Sequence, residues 1–248
     1  MKENKYDDEI FFQKYSEMPR SIGGLGAAGE WATLKPLLPD FHGKDVLDIG
    51  CGFGWHAAYA SDNGANSVVA TDISNKMLSK AKKMNMRDNI DYINLAFEDS
   101  VFEPNHFDVV ICSLMLHYLK SFDDFLDKVY RWLRPEGILA FTVEHPIFTA
   151  EGSQCWSYDK DGNILHFPVD NYFYEGQRDA IFLGEHVVKY HRTLTTYLNN
   201  TIKKGFCLLN IVEPMPTEEM LKSNPQMSVE LRRPMMLIVI AKKNGEYS

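Results

Sequence analysis

Two aspartates and three glycines stand at spacings that could hold a nucleoside. The run Val46-Leu47-Asp48-Ile49-Gly50-Cys51-Gly52-Phe53-Gly54-Trp55 reads as a strand entering a glycine turn that opens a helix, and Asp72 ends the next apolar run, twenty residues beyond Gly52. Glycines in such a turn let the backbone bend tightly and approach a ligand. A carboxylate at the tip of the second strand can accept hydrogen bonds from both ribose hydroxyls, so an adenosine-type ligand lying across the strand tips is indicated. Asp48 is either a ligand-facing carboxylate or one bonded to nearby backbone amides, and Cys51 is a small buried side chain. Two histidines could move protons near neutral pH. His117, four residues after Ser113, either points into the cleft or bonds backbone at a helix start. His145, beside Glu144 and before Pro146, is ranked first as a base.

The ligand's charge separates two nucleotides. In a dinucleotide turn the glycines receive an anionic pyrophosphate, and the last glycine of GxGxxG would fall at position 55, where this chain has Trp55. Asp48 would also set a negative charge near that pyrophosphate, whereas it suits a ligand carrying an ammonium and a sulfonium. S-adenosylmethionine is such a ligand.

Positioning these residues requires strands whose tips meet at one edge. From Asp45 to His145, apolar runs at Val46 to Ile49, Ser67 to Ile73, Ile90 to Leu95, Phe107 to Ser113 and Ile138 to Glu144 alternate with helical spacing at Trp55 to Ser61, Asn75 to Met84 and Phe122 to Leu133. That alternation predicts parallel strands joined by crossover helices and buried on both faces. Arg134-Pro135-Glu136-Gly137 should stop the last helix. Residues 146 to 190 hold nine aromatics in 45, with Asp161-Gly162 as a hairpin signal between Trp156 to Tyr158 and Ile164 to Phe167. This stretch reads as a cap insertion whose rings either line the substrate or only pack on the main domain. A helix from Thr193 to Lys204, ended by Gly205, and strands at Cys207 to Val212 and Met235 to Ala241 complete the pattern. The glycine-rich Ser21 to Gly26 follows no strand, so it reads as a flap over the sheet's carboxyl edge or an ordinary loop joined to an amphipathic helix. One domain results: residues 1–43 a flap, 44–145 a cofactor-binding core, 146–191 the cap and 192–248 the end of the core.

Val46 to Gly54, Asp72, Phe97-Glu98-Asp99-Ser100-Val101-Phe102 leading to Phe107-Asp108-Val109-Val110, Leu116-His117-Tyr118-Leu119 and Leu133-Arg134-Pro135-Glu136-Gly137 together resemble class I S-adenosylmethionine-dependent methyltransferases, over roughly residues 44 to 145. The chain is similar to the methyltransferase type 11 and quinone-biosynthesis group that acts on small molecules, and Tyr15 to Trp31 with Glu144-His145-Pro146 look like an uncharacterised bacterial branch. The resemblance implies a Rossmann-like α/β fold, with a seven-stranded, mostly parallel sheet and an antiparallel last strand. It implies that Gly50, Cys51, Gly52 and Gly54 form the turn under the methionine and ribose, that Asp72 holds the ribose and that Ile73 and Met77 flank the adenine. Phe97 and Glu98 would face the adenine from the other side, and Ser113 and Leu114 would lie near the sulfonium. Relatives often place an aspartate at the position of Ala96, so the polar adenine contact passes to Glu98 or Asp99. Tyr15 and Arg20 are expected as flap contacts to the methionine carboxylate, or as parts of a plain solvated loop.

Methyl transfer from a sulfonium is an in-line displacement on an activated carbon, so the protein mainly aligns the nucleophile and excludes water. His145 or His117 would take the proton of a hydroxyl or acidic carbon. Trp156, Tyr190, His191 and Arg192 are expected substrate contacts, Arg192 pairing otherwise with a surface carboxylate. Cys112-Ser113-Leu114-Met115 stands where an Asn/Asp-Pro-Pro-aromatic motif for exocyclic amines would follow the fourth strand, and no Pro-Cys nucleophile is present. With 34 acidic against 26 basic residues and a net charge of -8, a nucleic-acid partner is not expected and a small-molecule acceptor is. The longest apolar run, Met235 to Ala241, is far short of the ~20 residues that span a bilayer. Residues 1 to 9 lack the apolar core of a secretory signal, and Cys51, Cys112, Cys155 and Cys207 form no CxxC pair or metal spacing. These features predict a cytoplasmic protein without a metal. Two rival readings remain at this level: an NAD(P)-dependent oxidoreductase, disfavoured by Trp55 and Asp48, and a non-catalytic binder of S-adenosylmethionine.

Overall fold

A computed structural model describes residues 4–245; Met1 to Glu3 of the charged leading segment lie outside the described residues. Five strands, β1 (Asp45–Ile49), β2 (Ser67–Asp72), β3 (Ile90–Asn94), β4 (Phe107–Ser113) and β5 (Leu133–Glu144), are joined by the crossover helices α4 (Trp55–Asp62), α5 (Asn75–Met84) and α6 (Phe122–Trp132). Ahead of them come α1 (Glu9–Ser16), α2 (Pro19–Gly23) and α3 (Trp31–Leu34). After β5 come α7 (Pro146–Thr149), the hairpin β6 (Ser157–Tyr158) with β7 (Ile164–His166), the hairpin β8 (Gly176–Phe182) with β9 (Glu185–His191), α8 (Leu194–Lys203), β10 (Phe206–Val212), α9 (Glu218–Ser223) and β11 (Met236–Lys243).

The main sheet has seven strands in the order β10-β11-β5-β4-β1-β2-β3. Strands β1 to β5 pair in parallel, and β11 lies antiparallel to both β5 and β10, so six strands run one way and the last runs against them. Successive residues of β1 explain the two-sided burial. Leu47 and Ile49 join the apolar layer that contains Phe125, Leu126 and Tyr197 of α6 and α8, while Val46 faces the layer built on Ala57, Ala60, Leu78 and Ala81 of α4 and α5. Helix α6 puts Phe122, Phe125, Leu126 and Val129 on one buried stripe and is capped by Ser121.

The Arg134 to Gly137 turn does not delay the fifth strand as expected. Leu133 already pairs with Phe107, the register slips before Val109 meets Ile138, and Glu136 takes a positive φ of 67° within the bulge. The strand predicted to start at Ile138 therefore starts at Leu133. The cap contains the expected hairpin and a second one, β8–β9, closed by Leu183 and Gly184, both at positive φ. No helix among the described residues is long and apolar enough to cross a membrane.

Candidate active site

The strand tips of β1, β2, β4 and β5 open into a cavity of about 470 Å³, a size suited to small molecules. Its floor is the glycine turn. The amides of Gly50 and Cys51 both donate to the Thr71 carbonyl at 2.9 Å, that of Gly52 to Asp72 Oδ2 at 2.9 Å and that of Gly54 to the Cys51 carbonyl at 2.8 Å. Four turn amides are thus taken by the protein, which removes the donors that a pyrophosphate would need. Trp55 lines the cavity, and its ring lies where a Cβ on Gly24 would be, 2.9 Å from Trp55 Cε3, so the glycine at 24 permits the flap to close on the indole. Gly54 does not line the cavity: it caps α4 at a φ of 76°, and a side chain there would overlap the Tyr92 phenol. It closes the turn and packs on Tyr92 without forming part of the wall.

Asp72 accepts from the amides of Gly52 and, at 2.8 Å, Ser74. Burial raises its carboxyl to about 6 against these bonds. Asp48 lies beneath the turn and off the cavity wall, 1% exposed, with Oδ2 unpartnered. Burial, opposed by the Ala57 amide, pushes it up to about 7. Of the two readings of Asp48, the carboxylate bonded to a nearby backbone amide is the one found, a buried acid under the floor and not a wall contact.

Around Asp72 the cavity wall gathers Ile73, Met77, Phe97 and Glu98, with Ser113 and Leu114 at the tip of β4. Lys128 of α6 holds the 97–99 turn by donating to the carbonyls of Phe97, Glu98 and Ser100 at 3.2, 2.7 and 3.1 Å. Leu114 sits at a φ of 52°, a region a leucine rarely adopts, kept there by its amide's bonds to Thr142 Oγ1 and the Thr142 carbonyl at 3.1 and 2.9 Å. The flap supplies Tyr15 and Arg20 to the wall, Arg20 being paired with the buried Glu30 at 2.6 Å.

The two histidines part company. His117 lines the cavity, 3% exposed, and its Nδ1 has no protein partner; burial lowers it to about 4, so the ring is neutral. His145 does not line it. Its Nδ1 accepts from the Ile147 amide at 3.1 Å, capping α7, and its Nε2 lies 2.8 Å from Glu213 Oε1, so the residue ranked first as a base serves as a cap facing away. The expected substrate contacts Trp156, Tyr190, His191 and Arg192 are likewise absent from the wall. Trp156 packs in the cap under Arg233, whose guanidinium lies 4.7 to 5.0 Å from the centroids of Phe148, Trp156 and Phe167. His191 bonds Thr149 Oγ1 at 2.7 Å and the Tyr172 carbonyl at 2.9 Å, and Arg192 donates to the carbonyls of Leu116 and Leu119. Tyr190 and Arg192 border a separate, open acidic groove beside α6.

Sequence reasoning missed Tyr6, Glu144 and Gln154, which do line the cavity. Tyr6 meets Tyr118 oxygen to oxygen at 3.1 Å, closing the mouth from the flap side. A hint for Glu144 was its place at the end of a core strand; nothing in the sequence joins it to Gln154.

Tested against S-adenosylmethionine, the site fits: a carboxylate stands at the β2 tip for the ribose, four amides of the turn are already taken and so are withheld from a phosphate, and the neutral His117 Nδ1 and buried Trp55 Nε1 are unpartnered. The family model of the methyltransferase domain matches residues 47–141. A crystal structure of a Listeria monocytogenes protein assigned as an S-adenosylmethionine-dependent methyltransferase is 51% identical and superposes with a TM-score of 0.85, covering 89% of this chain and 99% of that one. An S-adenosylmethionine-dependent methyltransferase from Mesorhizobium loti is 36% identical with a TM-score of 0.82, covering 89% and 100%. A Haemophilus influenzae protein whose name assigns no activity is 32% identical over 96% of each chain. Fold, cavity and relatives agree: the chain belongs to the class I S-adenosylmethionine-dependent methyltransferases and is an enzyme that uses S-adenosylmethionine.

Proposed function

We propose that this methyltransferase acts on a small molecule, with His117 taking the acceptor's proton. The observation that carries this reading is the mostly apolar cavity that runs from Asp72 to His117 between flap and cap. When bound, S-adenosylmethionine supplies a methyl group already made electrophilic by its sulfonium. Asp72 would hold the ribose, Ile73, Met77 and Phe97 the adenine faces, Glu98 its polar edge, and Tyr15 and Arg20 the methionine carboxylate. Gly50, Cys51 and Gly52 form the floor, and Ser113 and Leu114 border the transfer point. Apolar walls exclude water, and the neutral His117 imidazole can receive a proton. A net charge of -8 disfavours nucleic acid as acceptor. The four unpaired cysteines suit work in a reducing cytoplasm.

Calorimetric titration of ligand-free protein with S-adenosylhomocysteine, with NADH in parallel, tests the cofactor assignments; saturable binding of the first and silence from the second are expected. Binding that persists unchanged in Asp72→Ala would remove that residue from the site. Turnover with a panel of small acceptors, compared between wild type and His117→Ala, tests the base.

A further inference from the structure

Building on the reading of this cavity as a small-molecule methyl-transfer site, we infer that the acceptor is a neutral, largely apolar molecule that presents a hydroxyl to His117 and Glu144, and that anionic acceptors are refused. The cavity has two ends. One lies over β1 to β3 with Asp72, and the other over β4, β5 and the β8–β9 hairpin. At the second end Glu144 is locked in a closed ring of hydrogen bonds: Lys189 Nζ donates to Glu144 Oε1 at 2.6 Å and to Gln154 Oε1 at 2.9 Å, and Gln154 Nε2 donates to Glu144 Oε2 at 2.7 Å. Burial would raise the Glu144 carboxyl, but its surroundings, the Lys189 ammonium and the Gln154 amide among them, outweigh it and hold it below its usual value, so it is ionised.

This arrangement leaves no cation free to meet an anion there. Lys189, 1% exposed, is taken by the ring, and Arg192 is taken by the Leu116 and Leu119 carbonyls. The cations that do line the cavity, Lys5 and Arg20, come from the N-terminal segment and belong to the cofactor end: the turn holding Lys5 packs on α5, and Arg20 stands beside Glu30 for the methionine carboxylate. A carboxylate or phosphate would lose its water there with no free cation to pair with it. An ammonium gains little, since Lys189 already neutralises that charge, and would lose its water among Phe148, Phe182, Val187, Met235 and Met236. A hydroxyl needs one acceptor, and the neutral His117 ring on the cavity wall offers one. In the transfer the acceptor's O–H bond breaks as its O–CH3 bond forms, the proton passes to His117, and the electron pair of the broken S–CH3 bond stays on sulfur. The positive charge lost at sulfur then reappears on an imidazolium beside Glu144.

The test is calorimetry at neutral pH on protein saturated with S-adenosylhomocysteine, titrated with 2-naphthol, 2-naphthoate and 2-naphthylmethylamine. Naphthol should bind saturably and at least ~10-fold more tightly than either charged analogue, with His117→Phe costing ~10-fold in naphthol affinity while S-adenosylhomocysteine affinity holds. Lys189→Met, which uncovers the Glu144 charge, should turn the preference toward the ammonium compound. Silence from naphthol, naphthoate or amine binding as tightly as naphthol, or naphthol affinity unmoved by His117→Phe, would each overturn the inference. Failure of the cofactor site would show separately, as loss of the first-stage S-adenosylhomocysteine binding.

Discussion

Asp72 does its structural work through two backbone amides and keeps lone pairs for a ligand, yet burial raises its carboxyl to about 6. Asp72→Ala should weaken S-adenosylhomocysteine binding by ~10- to 100-fold, the loss of a charge-assisted bond of ~1.5 to 3 kcal/mol, read by calorimetry. In wild type the same affinity should fall as the pH drops through about 6, because the protonated carboxyl is the weaker acceptor. Asp48 gives the opposite kind of signal, one of stability. Its folded value of about 7 lies above the ordinary aspartate value of about 3.9, so between these limits the folded state binds the extra proton, and stability falls as the pH rises from about 4 to about 7. Asp48→Asn should flatten that slope by an amount on the order of 2 to 4 kcal/mol across the range, measured by denaturant unfolding of ligand-free protein at several pH values. An equal slope in the variant would mean that Asp48 is not the titrating group.

Among the elements, those set by local chemistry were readable and those set by distant partners were not. The glycine turn, the α6 stripe and the Asp161-Gly162 hairpin carry their own signals, and each appears where its residues predict. The β8–β9 hairpin was hidden because Leu183-Gly184 is a weaker turn signal than Asn-Gly and its strands bear mixed charge. The cap aromatics were countable, but composition does not say which side a ring faces. Trp156 turned out to face Arg233, and Phe148 and Phe182 to face the cavity. Arg233→Ala should therefore loosen the cap without touching the cofactor end. A red-shifted tryptophan emission and a loss of ~1 to 3 kcal/mol in stability are expected, with S-adenosylhomocysteine affinity retained; an unaltered spectrum and stability would deny the arginine its organising role.

At the scale of the molecule, topology made the cofactor end legible and the acceptor end obscure. Gly50 to Gly54 and Asp72 come from neighbouring strands with a short connection, so their meeting follows from one βαβ unit. Glu144, Gln154 and Lys189 meet only after the cap has folded back, and His145 looked like a base because its backbone position was visible while its direction was not. The whole-molecule charge of -8 carries a further expectation: bulk tRNA should neither shift the protein's electrophoretic mobility nor compete with 2-naphthol, whereas a retarded complex would reopen the acceptor class.

The N-terminal segment is fastened at both ends of the cavity. Asp7 accepts from Ser74 Oγ at 2.6 Å and the Lys76 amide at 3.1 Å on the cofactor side, while Lys14 donates to the Leu183 carbonyl at 3.0 Å on the hairpin and Phe11 packs against Phe182. One strap spans both compartments, and the two products are expected to leave through its one shared opening. Turnover should then slow with solvent viscosity and show a first-turnover burst, and Asp7→Ala, by unfastening one end, should speed the escape of S-adenosylhomocysteine in stopped-flow displacement.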